Sequence, residues 1–153
     1  MILLLSVFCV ILYVAMGILL HPIGLQPIRL QFAYSGRAFK AIYQPWSDEC
    51  KRRYSLHFRL DYSFLFLYGL LGYQIATQAR LASVHSGSFI QSISPLIMPL
   101  AAAADALENL THQYLIRIVG TQPLPDKIVL LAGSASAVKW LLFATFLLTL
   151  TAV

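Results

Sequence analysis

Charged residues are scarce in this chain, and their scarcity argues against an ordinary water-soluble domain. Only 11% of the 153 residues are Asp, Glu, Lys or Arg, whereas a soluble domain usually carries about 25%. Hydrophobic residues make up 59% of the chain. Most of the surface therefore need not face water, and the length of the chain indicates one domain rather than two.

The chain also lacks the residue patterns of several enzyme and metal-binding classes. It has two cysteines, Cys9 in an apolar segment and Cys50 in a basic one. We expect them at different depths, and therefore we expect no disulfide between them. There is no CxxC pair, no HExxH sequence and no glycine-rich phosphate loop. The sequence therefore predicts no enzyme, with no catalytic residues, no cofactor and no bound metal.

Four apolar segments are long enough to cross a bilayer, since about 20 helical residues span its hydrocarbon core. The first, at about 2–20, has no charge. It lacks the basic start and the small-residue cleavage site of a signal peptide, so a retained helix is favoured over a cleaved one. The others are predicted at about 56–79, 89–119 and 127–152. The fold class predicted for residues 1–153 is all-α, a polytopic four-helix transmembrane bundle.

Small residues and prolines indicate how these segments connect and pack. Residues 82–88 are short, small and polar, and predict a tight connection between the second and third segments. Pro95 and Pro99 are expected in the first turns of the third segment or at a kink in it. In the fourth segment, the small residues from Gly133 to Ala137 suit close packing against another helix, in this chain or in a partner.

A short amphipathic segment is predicted between the first two spans, at about 35–46. Ser35 can cap a helix whose apolar residues, such as Phe39, recur at helical spacing opposite Arg37 and Lys40. This pattern is typical of a helix that lies in the membrane interface. An ordinary loop with aromatic anchors is the alternative.

Positive charge is concentrated between the first and second spans, where seven of the 11 Lys and Arg residues lie. Beside membrane-length segments, anionic lipid headgroups are more plausible partners for these charges than nucleic acid. Six of the seven form a basic patch that we expect at the interface: Arg37, Lys40, Lys51, Arg52, Arg53 and Arg59.

The distribution of charge also predicts the topology. Arg117 and Lys127 flank the connection between the third and fourth spans, while the opposite side offers only Arg80. The positive-inside rule therefore places the 1–2 and 3–4 connections in the cytoplasm and both termini outside. The expected location is a bacterial inner membrane or another energy-transducing membrane.

Ionisable residues inside a membrane segment are costly and are therefore candidates for function. Asp105, Glu108, Asn109 and His112 occupy positions i, i+3, i+4 and i+7 of the third span and share one face. Counted from the 3–4 connection, the two acids and Lys139 of the fourth span all lie about 18–23 Å deep. We therefore expect Lys139 to pair with Glu108 or Asp105.

The charges in this predicted cluster do not balance. One lysine cannot neutralise two carboxylates, so we expect either an extra proton on a carboxyl or a further cation, such as His112 or Arg59. Asp61 lies near the cytoplasmic start of the second span, one turn after His57. It is expected either to cap or pair locally, or to join the same cluster.

Two short motifs lie along the second and third spans. One is Leu60-Asp-Tyr-Ser-Phe64 and the other is Asp105-Ala-Leu-Glu-Asn109. From about residue 32 to 109, the chain resembles a group of uncharacterised bacterial four-helix membrane proteins with L-D-[YF]-x-F and D-x-x-E-N motifs. The resemblance implies no function. It implies that four polar residues belong to one recurring arrangement: Asp61, Asp105, Glu108 and Asn109.

Three functions are consistent with these features. The first is a non-enzymatic accessory or assembly subunit of a membrane complex, with the lipid bilayer and other membrane-protein subunits as partners. The second is a small carrier or a proton- or ion-conducting protein that uses the cluster. The third is an intramembrane metal-dependent enzyme. Against the third, Glu108 and His112 are spaced Glu-x-x-x-His and occur once, whereas di-iron bundles use paired Glu-x-x-His motifs.

Overall fold

A computed structural model describes residues 1–82 and 89–151, and this part of the chain is helical with no strand. The predicted all-α class is therefore confirmed. The connection predicted at 82–88 lies outside the described residues, apart from Ala82. The helices follow in this order: α1 (Ile2–Leu20), α2 (Gln26–Gln31), α3 (Gly36–Tyr43), α4 (Asp48–Ala82), α5 (Phe89–Ile118) and α6 (Asp126–Thr151), with a 3-10 turn at His21–Ile23 after α1.

Two of the described helices are long and apolar enough to cross a membrane by length and composition alone. They are Ile2–Ile23, which contains α1, and Asp126–Leu150 in α6. The sequence predicted four such segments, and the other two correspond to α4 and α5. Acidic residues in both helices, and several tyrosines in α4, lower their mean hydropathy. By length and composition, the described residues therefore contain two candidate membrane spans, whereas the sequence predicted four.

The long helices pack in chain order, with α1 against α4, α4 against α5, and α5 against α6. A single stripe of α1, formed by Leu5, Cys9 and Met16, is buried. The rest of α1 is largely exposed apolar surface, as at Leu3 (79% exposed) and Ile18 (68% exposed). α1 is therefore an outer helix that contacts the bundle along one line.

The start of α3 is fixed by two hydrogen bonds. The Ser35 hydroxyl accepts the backbone N–H of Ala38 at 3.2 Å, which makes Ser35 the predicted helix cap. The N–H of Gly36 donates to Asp126 Oδ1 at 2.7 Å, which ties the start of α3 to the start of α6. The loop alternative for this segment is therefore wrong.

The apolar face of α3 packs against the chain's own helices rather than facing lipid. Phe39 is 0% exposed and lies in one core cluster with Tyr43 and Leu115. Arg37 and Lys40, on the opposite face, are exposed. α3 is therefore amphipathic, as predicted, and its apolar face meets protein, while its place in the membrane interface stays a prediction.

The small-residue face of α6 is used within the chain. A Cβ atom on Gly133 would lie 2.8 Å from the ring of Tyr34 and 2.9 Å from the carbonyl oxygen of Ala33, so the connection between α2 and α3 occupies this position. Ser136 is fully buried, whereas Ala137 is exposed. Of the two partners predicted for this face, the structure shows the one within the chain.

Helices α4 and α5 approach closely where α4 carries two glycines. A Cβ atom on Gly69 would lie 3.2 Å from the Cβ of Ala102, and one on Gly72 would overlap the side chain of Met98. Pro95 and Pro99 lie inside α5, on either side of Met98 in sequence. The contact between α4 and α5 therefore depends on the absence of side chains at two positions of α4.

We expect Gly72→Ala to destabilise the protein by about 1–3 kcal/mol, because the added methyl group has no room beside Met98. The free energy of unfolding in mixed detergent micelles measures the effect. Gly17→Ala in α1 is the matched control, since a Cβ there meets nothing within 4 Å. Equal stability of the two variants would contradict the close approach of α4 and α5.

Candidate functional site

Among the described residues, eight polar or charged side chains are buried, and they come from α4, α5 and α6. All six residues of the predicted intramembrane cluster are among them. We call these six residues the polar cluster: Asp61, Asp105, Glu108, Asn109, His112 and Lys139. The other two buried polar residues, Thr111 and Ser136, donate their hydroxyl groups to backbone carbonyls of their own helices.

Lys139 links α6 to two carboxylates of α5. Its Nζ donates to Asp105 Oδ1 at 2.9 Å and to Glu108 Oε2 at 2.7 Å. The pairing predicted from matched depth is therefore present, and it involves both acids instead of one. An ammonium group has three donors, so these two contacts use most of its hydrogen-bonding capacity.

Asp105 also connects the cluster to α4. The hydroxyl of Tyr68 donates to Asp105 Oδ2 at 3.3 Å, while Lys139 binds the other carboxylate oxygen. One carboxylate therefore receives hydrogen bonds from both neighbouring helices, which fixes α4, α5 and α6 relative to one another at this level.

Asp61 joins the cluster through α5. Its Oδ2 accepts a hydrogen bond of 2.6 Å from Asn109 Nδ2, and the same oxygen lies 3.9 Å from Nε2 of His57 on its own helix. The Nδ1 of His57 donates to the carbonyl oxygen of Tyr54 at 3.3 Å. Both alternatives considered for Asp61 are therefore partly met, since it has a partner on α5 and a neighbour on α4.

His112 lies at the end of the cluster nearest to α3. Its Nδ1 is hydrogen-bonded to the hydroxyl of Tyr54 at 3.0 Å, and its ring meets the ring of Phe39 edge-on, with centroids 5.6 Å apart. Its Nε2 is buried and has no hydrogen-bond partner among the described residues. The buried face of α3 thus rests directly on a member of the cluster.

Sequence reasoning missed Tyr54 as a contributor to the site. The residue lies among lysines and arginines, where a tyrosine is typical of the membrane interface, yet it is buried. A signal was present, because Tyr54, Asp61 and Tyr68 are spaced by seven residues. That spacing places all three on the one face of α4 that meets the cluster.

Arg59, one of two cations predicted to balance the second carboxylate, is not in the cluster. It is exposed and lines a groove on the outer face of α4 and α5. The cluster holds three carboxylates and one lysine, so full ionisation with neutral histidines would leave a net charge of −2. Because an uncompensated buried charge is costly, we expect a further proton or a further cation to offset part of this charge.

The arrangement is poorly suited to a metal ion. Among the described residues, no three His, Cys, Asp or Glu side chains are placed to share one ion. The ammonium of Lys139 lies between Asp105 and Glu108, and His112 Nδ1 is bonded to Tyr54. A metal between these acids would have to displace the lysine.

The predicted basic patch is divided among separate environments. Arg52 and Arg53 both bind Glu49, each with a contact of 2.7 Å, and the two guanidiniums hold the pKa of Glu49 below its ordinary value. Lys51 lies over the ring of Tyr43, 5.9 Å from its centroid. The remaining three members line two cavities at the surface: Arg37 and Lys40 in one, and Arg59 in the other.

Comparisons with protein-family models, with curated protein sequences and with solved structures found no match to this chain. The resemblance noted from the two motifs therefore remains a prediction. The polar cluster and the surface around it are the features of the structure that bear on function.

Proposed function

We propose that this chain is an integral membrane protein in which α1, α4, α5 and α6 all cross the bilayer. The outer surface of α1 supports a lipid environment, because a water-soluble monomer rarely exposes apolar patches larger than a few hundred Å². The three acids in the middle of α4 and α5 are compatible with crossing, because Asp61, Asp105 and Glu108 are buried and bonded to other side chains inside the bundle. Ionisable residues in membrane helices usually face the bundle interior in this way.

The proposed topology follows the distribution of basic residues. The connection that contains α2 and α3, and the one between α5 and α6, would face the cytoplasm, with both termini on the other side. Arg37, Lys40 and Arg117 are exposed at that end of the bundle. A bacterial inner membrane, or another energy-transducing membrane, is the proposed location.

We further propose that the protein is a non-enzymatic accessory or assembly subunit. The observation that carries this proposal is the contact of Lys139 with both Asp105 and Glu108, which ties α5 to α6 in the bundle interior. Catalytic groups must reach a substrate, whereas every residue of the cluster is buried and bonded to another side chain. The cluster then serves helix packing, and the outer apolar faces of α1 and α6 meet lipid or a partner subunit.

Purification from native membranes in a mild detergent tests this proposal. We expect the tagged chain to co-purify and cross-link with another membrane protein in a fixed stoichiometry. Glu108→Gln should reduce both the stability of the chain and recovery of the complex, while the exposed variant Arg52→Gln should not. A chain that is isolated alone, with Glu108→Gln as stable as wild type, would contradict the proposal.

A proton- or ion-conducting protein is the second candidate. It is favoured by the excess of carboxylates over cations and by the unpartnered Nε2 of His112 inside the same cluster. Proteoliposomes with an imposed pH gradient separate the two functions. If Glu108→Gln keeps the fold but abolishes a flux that wild type shows, the conducting role is correct. Absence of flux in wild type supports the packing role.

A further inference from the structure

A groove of about 440 Å³ lies on the surface between α4 and α5, and no residue of the polar cluster lines it. Most of its polar lining comes from these two helices, with Ser55, Arg59 and Tyr62 on α4 and Gln113 and Arg117 on α5. Tyr43 of α3, Phe58 and Ile116 complete the lining. We call it the arginine groove. Its volume falls within the range of pockets that bind small molecules, about 300–1,000 Å³.

The two arginines of the groove have no acidic partner. Among the described residues, no Asp or Glu oxygen lies within 4.0 Å of Arg59 or Arg117. By contrast, Arg52 and Arg53, one to two turns earlier on α4, both bind Glu49. Guanidinium groups present planar sets of donors that match phosphate oxygens. Two unpaired guanidiniums in one groove therefore favour a phosphate-bearing ligand.

A hydrogen bond between the two helices lies at the bilayer side of the arginines. Gln113 Nε2 donates to the hydroxyl oxygen of Tyr62 at 2.8 Å. The proton of that hydroxyl remains available for a second acceptor, because a tyrosine hydroxyl both donates and accepts. The groove thus offers a neutral donor on the bilayer side of two cationic ones.

Beyond the Tyr62–Gln113 pair, the same face becomes apolar and exposed. Phe66 follows Arg59 by seven residues and is 71% exposed, and Leu110 precedes Arg117 by seven residues and is 60% exposed. Since seven residues are close to two helical turns, these side chains lie on the same face as the arginines, about 10 Å further along the helices. A ligand with a phosphate and an apolar chain matches both parts of this surface.

We propose that the arginine groove binds the headgroup of an anionic phospholipid, with an acyl chain lying across Phe66 and Leu110. The proposal rests on the membrane location proposed above. On that topology the arginines lie at the cytoplasmic side, where basic pockets between membrane helices bind anionic headgroups. It assigns a lipid class to one site and does not depend on whether the protein has a partner subunit.

The larger cavity, of about 660 Å³, is less suited to an anion. Arg37 and Lys40 line it, but so does Asp126. The carboxylate of Asp126 accepts from the backbone of Gly36, and its charge opposes a second anion. The arginine groove has no acid in its lining.

Lipid-dependent stability of the purified full chain tests the proposal. In a neutral detergent, we expect phosphatidylglycerol to raise Tm by about 2–4 °C, and native mass spectrometry should show one retained lipid. Phosphatidylcholine with the same chains, and inorganic phosphate, should each give a much smaller shift. Arg59→Gln/Arg117→Gln should weaken phosphatidylglycerol binding by at least about tenfold, the effect of losing about 1.4 kcal/mol.

The matched control is Arg52→Gln/Arg53→Gln, which removes the same charge from outside the groove and should leave the lipid response unchanged. Equal loss in the two double variants would mean general charge attraction and would overturn the site. If inorganic phosphate raised Tm as much as phosphatidylglycerol, the groove would bind a soluble anion and the lipid proposal would be wrong. If phosphatidylcholine raised Tm equally, the charge of the headgroup would not determine binding and the proposal would again be wrong. Failure of the proposed membrane location is seen separately, as release of the chain from membranes by alkaline carbonate.

Discussion

Lys139→Met is expected to lower the free energy of unfolding by about 3–5 kcal/mol. The substitution keeps most of the side-chain volume but leaves Asp105 and Glu108 buried beside each other without their shared cation. Removal of one partner from a buried ion pair has this magnitude, because the remaining charge is not compensated. Reversible unfolding of the purified protein in mixed micelles, followed by circular dichroism, measures the change.

A triple variant separates the cost of leaving two buried carboxylates without a cation from the cost of losing the hydrogen bonds of Lys139. Lys139→Met/Asp105→Asn/Glu108→Gln removes the lysine together with both acids that it contacts, and we expect it to recover a large part of the stability that Lys139→Met loses. Replacement of a whole buried ionic group by uncharged residues is often close to neutral. If Lys139→Met alone matched wild type, the lysine would not be paired inside the bundle.

Phe39→Ala is expected to cost about 3–5 kcal/mol, as large-to-small substitutions of buried aromatic residues do. Phe39 is fully buried and packs against the ring of His112. Its loss should release α3 from the bundle as well as lower global stability. Hydrogen exchange of residues 36–43, measured together with the free energy of unfolding, reports both effects.

Phe8→Ala is the matched control, because it removes the same side chain from an exposed position of α1. It should change the free energy of unfolding by less than about 0.5 kcal/mol. If Phe39→Ala were no more destabilising than Phe8→Ala, α3 would not pack on the bundle.

For α3, the spacing of apolar residues predicted the helix but could not predict what its apolar face contacts. Ser35 and the spacing of the apolar residues predicted a capped amphipathic helix, and one is present from Gly36 to Tyr43. The same pattern results whether the apolar face meets lipid or protein, since both exclude water. The choice depends on long-range contacts, such as the one between Gly36 and Asp126, which are 90 positions apart.

The cluster was more predictable because helical geometry determines depth. Because each helical residue adds a constant rise, counting from the connection between α5 and α6 placed Lys139 at the same depth as Asp105 and Glu108. Two features were missed. The burial of Tyr54 was not predicted, because its neighbours in sequence are basic residues. The short helix α2 was not predicted because it contains Pro27, and proline is unfavourable in the interior of a helix. Pro27 lies in the first turn of α2, where its missing backbone N–H is not needed.

The sequence predicted four membrane spans, whereas mean hydropathy identifies two among the described helices, and the difference has a physical reason. Mean hydropathy counts a buried, paired carboxylate as if it were exposed, so α4 and α5 are scored as less apolar than their outer surfaces are. Asp61, Asp105 and Glu108 are all buried and bonded in the bundle. The proposal of four crossings therefore depends on the cluster lying inside the membrane.

Cysteine labelling at the two ends of α4 tests that claim most directly. Asp48 and Gln78 are both exposed and lie 30 residues apart, or about 45 Å along a helix, enough to reach both faces of a bilayer about 40–45 Å thick. Asp48→Cys and Gln78→Cys would each be made with Cys9 and Cys50 replaced by serine, and treated with an impermeant maleimide on spheroplasts. If α4 crosses the bilayer, we expect Gln78→Cys to react in intact spheroplasts and Asp48→Cys to react only after lysis. Reaction of both positions from the same side would contradict it.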